Sequence, residues 1–94
     1  MDTVWIRCQD DVLIRADSIV VLESAKDGLH AECINGRTVQ LTNSQCSSAF
    51  QLALLEEIRR AGADERWPVV IMAVMEHETP TWRRERADTL IDRL

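Results

Sequence analysis

The first half of the chain alternates apolar and polar residues with the two-residue period of half-buried β-strands. Asp27-Gly28 and Asn35-Gly36 lie between apolar segments and are dipeptides typical of hairpin turns. β-Branched residues are frequent between the turns, which also favours strands. The pattern therefore predicts an antiparallel meander of four to five short strands, at residues 3–8, 12–15, 19–23, 29–34 and 37–41.

An amphipathic helix is predicted at 46–62, where the period changes. The apolar residues that fall within an arc of about 140° at 100° per residue are Phe50, Leu54, Leu55, Ile58 and Ala61. Ser47 or Ser48 offers a capping oxygen for the start of this helix. Gly62 is predicted to end it, since glycine commonly follows the last helical residue. The stripe is wide enough to cover one face of the meander.

The last third contains a continuous apolar segment followed by a polar one. Val, Ile and Met dominate residues 69–75, which favours a strand, although a helix of this length stays open. Thr79-Pro80 is typical of an N-cap followed by proline at the first helical position, so a terminal helix is predicted at 80–93. The predicted fold is thus α+β, an antiparallel β-meander packed against one amphipathic helix, with a C-terminal strand and a terminal helix.

Residues 1–94 are predicted to form a single domain, because typical domains contain roughly 100–150 residues. Within it, 1–45 form the meander, 46–62 the helix, and 67–94 the C-terminal strand and helix. We consider 67–94 a candidate oligomerisation element. The longest apolar run covers nine residues, 67–75, whereas a membrane span needs about 20. The chain is therefore not expected to contact a membrane.

Both faces of the predicted meander carry apolar side chains. Alternation assigns to the core face Val4, Ile6, Cys8, Ile19, Val21, Leu29, Ala31, Cys33, Val39 and Leu41. Four large apolar side chains fall on the opposite face: Trp5, Val20, Leu22 and Ile34. An antiparallel sheet with one wet face usually alternates more cleanly. We therefore expect the C-terminal segment, or a second copy of the chain, to cover that face.

The net charge argues against a nucleic-acid partner, and the cysteine content indicates a reducing compartment. Asp and Glu number 16 against 11 Lys and Arg, and the net charge of −5 has the wrong sign for attraction to nucleic-acid phosphates. Three cysteines without a CxxC pair indicate free thiols rather than a disulfide scaffold or a zinc site. A cytoplasmic location is predicted, with Cys8 and Cys33 acting as small apolar core residues.

The chain contains none of the common catalytic or phosphate-binding motifs. Glu76-His77-Glu78 is the one cluster that could support proton transfer, but a solvated stretch before Thr79-Pro80, with the histidine exposed, explains it better. We therefore predict no catalytic residue, no metal ligand and no cofactor. Arginines adjoin tryptophans at Trp67 and at Trp82, where Arg83 and Arg86 follow, and this combination is typical of protein interfaces.

The N-terminal pattern is similar in outline to LytTR-type DNA-binding domains, and it also resembles small flagellar FlbD-type proteins. The likeness consists of the apolar segments at 12–23 and 37–41, the two glycine turns and the following helix, and it covers about half of the chain. It includes no functional motif. No site residue is transferred from either family.

These observations predict a small acidic, non-enzymatic binding or regulatory module that acts through protein–protein contacts, as a homodimer. The predicted interface residues are Trp5, Val20, Leu22, Ile34, Trp67, Trp82, Arg83 and Arg86. Two alternatives stay open. One is an inhibitor or immunity-type protein that blocks a basic site on a nucleic-acid enzyme, and the other is a DNA-binding transcriptional regulator that uses residues 83–86.

Overall fold

A computed structural model describes residues 4–64 and 68–86 of the chain. Two short 3-10 turns, at Gln9–Asp11 and Ala16–Ser18, separate the first three strands. The helix and strands of the described residues follow in the order β1 (Val4–Arg7), β2 (Leu13–Arg15), β3 (Ile19–Ala25), β4 (Gly28–Cys33), β5 (Thr38–Gln40), α1 (Ser48–Asp64), β6 (Val69–Glu76) and β7 (Thr79–Arg86).

The strands form two sheets. Sheet A has the order β2-β1-β6-β7, and sheet B is the meander β3-β4-β5. Within sheet A, Ile6 of β1 lies opposite Ile14 of antiparallel β2 and opposite Ile71 of parallel β6. β7 pairs with β6 and forms the outer edge of this sheet. The C-terminal strands therefore extend the sheet that contains β1 and do not lie across its face.

One hydrophobic core joins both sheets to the helix. Its fully buried side chains include Ile6 and Ile71 of sheet A, Leu29 of sheet B and Leu54 of α1. Such large aliphatic side chains each contribute roughly 1.5–3 kcal/mol when they leave water. Helix α1 packs against β1, β6 and β7, so its apolar stripe covers one face of sheet A.

The α+β class is confirmed, as is the packing of a strand-rich segment against one helix. The strand predicted at 69–75 is confirmed as β6. The terminal helix predicted at 80–93 is wrong over its first part, because residues 79–86 form β7. Its remainder, 87–93, lies outside the described residues.

A hairpin turn explains the missing helix. His77 and Glu78 connect β6 to β7 with φ values of 49° and 65°, the positive values that a type I′ turn requires at both central residues. Asparagine and glycine normally occupy these positions, so the His-Glu pair gave no hairpin signal. Thr79 and Pro80 therefore open a strand, where they had been predicted to cap a helix.

Helix α1 begins close to its predicted start and ends later than predicted. The Ser47 hydroxyl accepts a hydrogen bond from the Phe50 amide at 3.2 Å, which identifies Ser47 as the cap. The helix continues through Gly62 to Asp64, so the prediction that Gly62 ends it is wrong. No helix among the described residues is long and apolar enough to cross a membrane.

Candidate protein-interaction site

A β-bulge in β3 changes which side chains face the core. Ile19 lies opposite Cys33 and Val21 lies opposite Glu32, so Val20 is an extra residue without an opposite partner. Beyond the bulge the alternation is reversed. Leu22 packs against the core, while Val21 is 43% exposed. The predicted placement of Leu22 on the outer face and of Val21 on the core face is therefore wrong.

The outer-face residues are only partly covered. Val20 is 58% exposed and Ile34 is 78% exposed, whereas Trp5 is half-buried between Arg15 and Val70 on the neighbouring strands. The expectation that the C-terminal segment covers this face is wrong for Val20 and Ile34. Residues 68–86 instead extend sheet A beside β1.

Three of the predicted interface residues lie on β7. The indole of Trp82 stacks on Phe50 of α1, with ring centroids 4.4 Å apart and planes inclined by 18°, and its Nε1 donates to the Phe50 carbonyl at 2.8 Å. Arg83 is half-exposed and lies within 4 Å of Glu76 and Glu85. Arg86 is exposed at the end of the strand. The remaining predicted residue, Trp67, lies outside the described residues.

An apolar groove of about 400 Å³ separates the first half of α1 from β7. Ala49, Phe50 and Ala53 line its helix side, and Pro80 and Trp82 line its strand side. No residue of β6 contributes to the lining, so the groove lies at the outer border of sheet A. Ala49 and Ala53 are too small to fill this space, so the groove can accept an apolar side chain of another molecule.

The backbone of β7 presents hydrogen-bonding groups along this groove. Pro80 has no N–H, so the Met75–Pro80 pair must belong to the non-hydrogen-bonded set of the antiparallel ladder. Trp82 and Arg84 are two and four residues further on, and their amides and carbonyls therefore also point away from β6. Within the described ranges, no backbone hydrogen bond from another element reaches Trp82 or Arg84.

Glu57 lines the groove, and it forms an ion pair with Arg84 of β7, which does not line it. The Arg84 Nε donates to Glu57 Oε2 at 3.2 Å, and both side chains are mostly buried. The Nη1 atom of Arg84 is also buried, and it has no hydrogen-bond partner among the described residues. A buried donor without an acceptor is costly.

The cysteines and the histidine cluster that the sequence singled out lie apart from this groove. Cys8 and Cys33 are buried free thiols, and Cys46 is a half-buried one. Burial raises the pKa of the Cys8 thiol to about 11, with the nearby Cys33 adding to the effect, so Cys8 is a weak nucleophile. The Glu76-His77-Glu78 cluster forms the exposed β6–β7 turn. Among the described residues, no three His, Cys, Asp or Glu side chains could hold a metal ion together.

Sequence reasoning identified Trp82 but not the groove beside it. Ala49 and Ala53 are small residues on an amphipathic helix, and nothing in their spacing distinguishes them from an ordinary helix flank. Because residues 79–86 form a strand, Pro80, Trp82 and Arg84 lie on one face of it. The predicted helix does not place these three side chains on one face.

No protein-family model, no curated protein and no solved structure matches the chain. The resemblance in outline to LytTR-type and FlbD-type proteins is therefore not accompanied by a family match.

Proposed function

We propose that the chain is a non-enzymatic protein-interaction module that binds an extended segment of another protein as an added strand on β7. The observation that carries this proposal is the position of the groove, which runs between α1 and an edge of β7 that pairs with no other described strand. This is the arrangement used in β-augmentation, where main-chain hydrogen bonds supply affinity and side-chain pockets supply specificity.

Each part of the arrangement has a defined task in such a complex. The outward amides and carbonyls of Trp82 and Arg84 would pair with the incoming backbone. Alternate side chains of the incoming strand would point toward α1, and one of them would enter the space beside Ala49 and Ala53. The Phe50–Trp82 stack supplies a rigid apolar wall for that side chain.

A random-peptide phage library selected against the full chain tests the proposal. A selected peptide should lose about tenfold or more in affinity for Ala53→Phe, because the new ring fills the groove. The matched control is Ala63→Phe, since Ala63 is also an exposed alanine of α1 but does not line the groove. Equal binding to both variants, or no enriched peptide at all, would overturn the proposal.

Amide hydrogen exchange followed by NMR supplies the second readout for the same peptide. The amides of Trp82 and Arg84 point outward and should become protected when the peptide binds. Those of Thr81 and Arg83 face β6 and should be protected before and after. Protection of Trp82 and Arg84 that rises with protein concentration alone would identify a second copy as the occupant and would contradict the proposal of an external segment.

The homodimer predicted from the sequence stays a prediction, supported by the exposed side chains of Val20, Val21 and Ile34. Val20 and Val21 lie on the edge strand β3 of sheet B, and Ile34 follows β4, with its amide bonded to the Ser18 carbonyl just before β3. Exposed apolar side chains at such an edge are suited to a two-fold contact with the same surface of a second copy. Light scattering should then give twice the chain mass, and Ile34→Glu should restore the single-chain mass. A wild-type chain that stays monomeric at high concentration would rule the dimer out.

A cytoplasmic location for this module also stays a prediction, supported by the three free thiols. The two alternative functions have less support. Asp11, Asp17 and Glu56 each pair with an arginine near them in sequence, which weakens the acidic surface that an inhibitor of a nucleic-acid enzyme would need. Arg83 and Arg84 already lie beside glutamates, which disfavours their use on DNA phosphates.

A further inference from the structure

We infer that the β7 groove selects extended segments of another protein with two uncharged apolar residues at alternate positions, one beside Ala49 and the next beside Ala53. This inference rests on the proposed function and specifies the class of segment that is bound. The proposed function requires only one apolar side chain in the groove. The dimensions and the lining of the groove indicate that it holds two.

The groove is longer than the space that one residue of a strand occupies. On α1 its lining extends from Ser47 to Glu57, which is about 15 Å along the helix axis. On β7 the lining extends over residues 79–82, which is about 10 Å along the strand. Side chains on one face of a strand repeat about every 7 Å. A segment that pairs with β7 would therefore point two successive side chains into the groove.

The contacts between α1 and β7 fix the relative direction of these two elements. Phe50 stacks on Trp82. Glu57 pairs with Arg84 at a distance of 3.2 Å. Both residues of the second pair come later in the chain than their counterparts in the first, so α1 and β7 run in the same direction along the groove.

This shared direction assigns one alanine of α1 to each incoming side chain. Ala49 and Ala53 are one helical turn apart, about 6 Å along the axis, which is close to the repeat of a strand. The incoming side chain nearer to Pro80 therefore lies beside Ala49, and the one nearer to Arg84 lies beside Ala53. The two alanines leave space for two side chains in succession.

The lining of the groove favours uncharged side chains at both positions. Glu57 is the one ionisable residue among the described residues that line it, and its Oε2 atom already accepts from Arg84. An incoming anion would meet this carboxylate with like charge, and an incoming cation would have to compete with Arg84 for it. Apolar side chains match the walls that Phe50, Pro80 and Trp82 form, and they lose no hydration of a charge when they are buried.

The edge strands of the chain itself do not supply this pattern. The apolar residues of β7, Pro80 and Trp82, already line the groove. On β3, Leu22 packs against the core, and the exposed residues Val20 and Val21 are adjacent rather than alternate. The three-residue edge strands β2 and β5 contain no two apolar residues at alternate positions. Among the described strands a second copy therefore offers no suitable segment, and the occupant comes from another protein.

Peptides selected from the phage library against the full chain test this inference. Replacement of each peptide residue by alanine should identify two apolar residues, two positions apart, that each contribute about tenfold to the affinity. Lysine or glutamate at either position should weaken binding at least as much. Lysine or glutamate at the residue between them should have little effect, because that side chain points to the opposite face. A single sensitive residue, or a charged residue required at a sensitive position, would overturn the inference.

Substitutions in α1 then assign each peptide residue to its alanine. Ala49→Leu should remove the contribution of one apolar peptide residue, and Ala53→Leu should remove that of the other, because the added side chain fills half of the groove. Ala63→Leu is the matched control outside the groove and should preserve both contributions. Leucine is a strong helix former at all three positions, and circular dichroism verifies the fold. Loss of the same peptide contribution in both groove variants would overturn the assignment of two positions.

Failure of the inference and failure of the proposed function give different results. Peptides that lose affinity for Ala53→Phe, yet depend on a single apolar residue, would overturn the two-residue pattern and leave the groove as the binding site. Peptides that bind Ala53→Phe normally, or the absence of any enriched peptide, would overturn both proposals together.

Discussion

Backbone geometry at single residues sets several features of this molecule. Gly28 adopts a φ of 144°, at the start of β4, and Gly36 a φ of 86°, in the β4–β5 loop; the sequence predicted a turn at each. At Gly28 an added Cβ would lie 2.0 Å from the carbonyl oxygen of Thr42, whereas at Gly36 no described atom lies within 4 Å of it. Both glycines permit the backbone angle, but only Gly28 also provides space.

The two glycines should therefore respond differently to alanine. Gly28→Ala should lower the free energy of unfolding by about 3 kcal/mol or more, because the methyl group cannot fit against a backbone atom. Gly36→Ala should cost only the conformational penalty of about 1–2 kcal/mol. Urea unfolding monitored by circular dichroism measures both. Equal losses in the two variants would contradict the close approach of Gly28 to Thr42.

At the level of elements, α1 is stabilised on its exposed face by one carboxylate that two arginines share. Glu56 accepts hydrogen bonds from Arg59 at 2.6 and 3.1 Å and from Arg60 at 3.2 Å. These positions are three and four residues apart, the spacing at which helical side chains meet. The hydrogen bonds from Arg59 are the main cause that lowers the pKa of Glu56 to about 2.

This pKa predicts how stability depends on pH. A carboxylate whose pKa is lowered by folding stabilises the native state above its unfolded pKa of about 4.5, and that contribution is lost as the pH falls toward about 2. Glu56→Gln should thus be slightly less stable than the native chain at neutral pH, and the gap should close near pH 2. The effect is small because the Glu56 side chain is about half exposed, so water screens its ion pairs.

Urea unfolding at a series of pH values measures the gap. Glu32→Gln is the matched control, since Glu32 is an exposed glutamate that makes no ion pair within the described part of the chain. A gap that stays constant with pH for Glu56→Gln, or that closes equally for Glu32→Gln, would contradict the assigned role of Arg59 and Arg60.

At the scale of the whole molecule, sequence patterns predicted the local elements much better than the way they are joined. The meander, the helix and the strand at 69–75 follow from periodicity and turn residues that are close in the chain. The division into two sheets depends on the pairing of β1 with β6, and periodicity does not report which distant strands pair. The bulge at Val20 interrupts the two-residue alternation, so the predicted face of Leu22 was wrong. The turn at His77-Glu78 lacks the usual asparagine and glycine, so the predicted helix at 79–86 was wrong.

The candidate site was only partly predictable for the same reason. Trp82, Arg83 and Arg86 stood out by residue type, and all three lie on β7. The groove requires α1 and β7 to lie side by side, and this contact joins Phe50 to Trp82 across many intervening residues. A pattern confined to one segment has no means of indicating such a cavity.

The parallel pairing of β1 with β6 also imposes an order on how a nascent chain completes its structure. Val4 pairs with Val69, so β1 lacks its inner neighbour until the residues of β6 have left the ribosome. Before β6 is available, Ile6 and Leu54 cannot be packed together with Ile71, which belongs to the same buried cluster. Synthesis can therefore complete β2, sheet B and α1 before β6 is made, whereas the pairing of β1 with β6 and of β6 with β7 must come late.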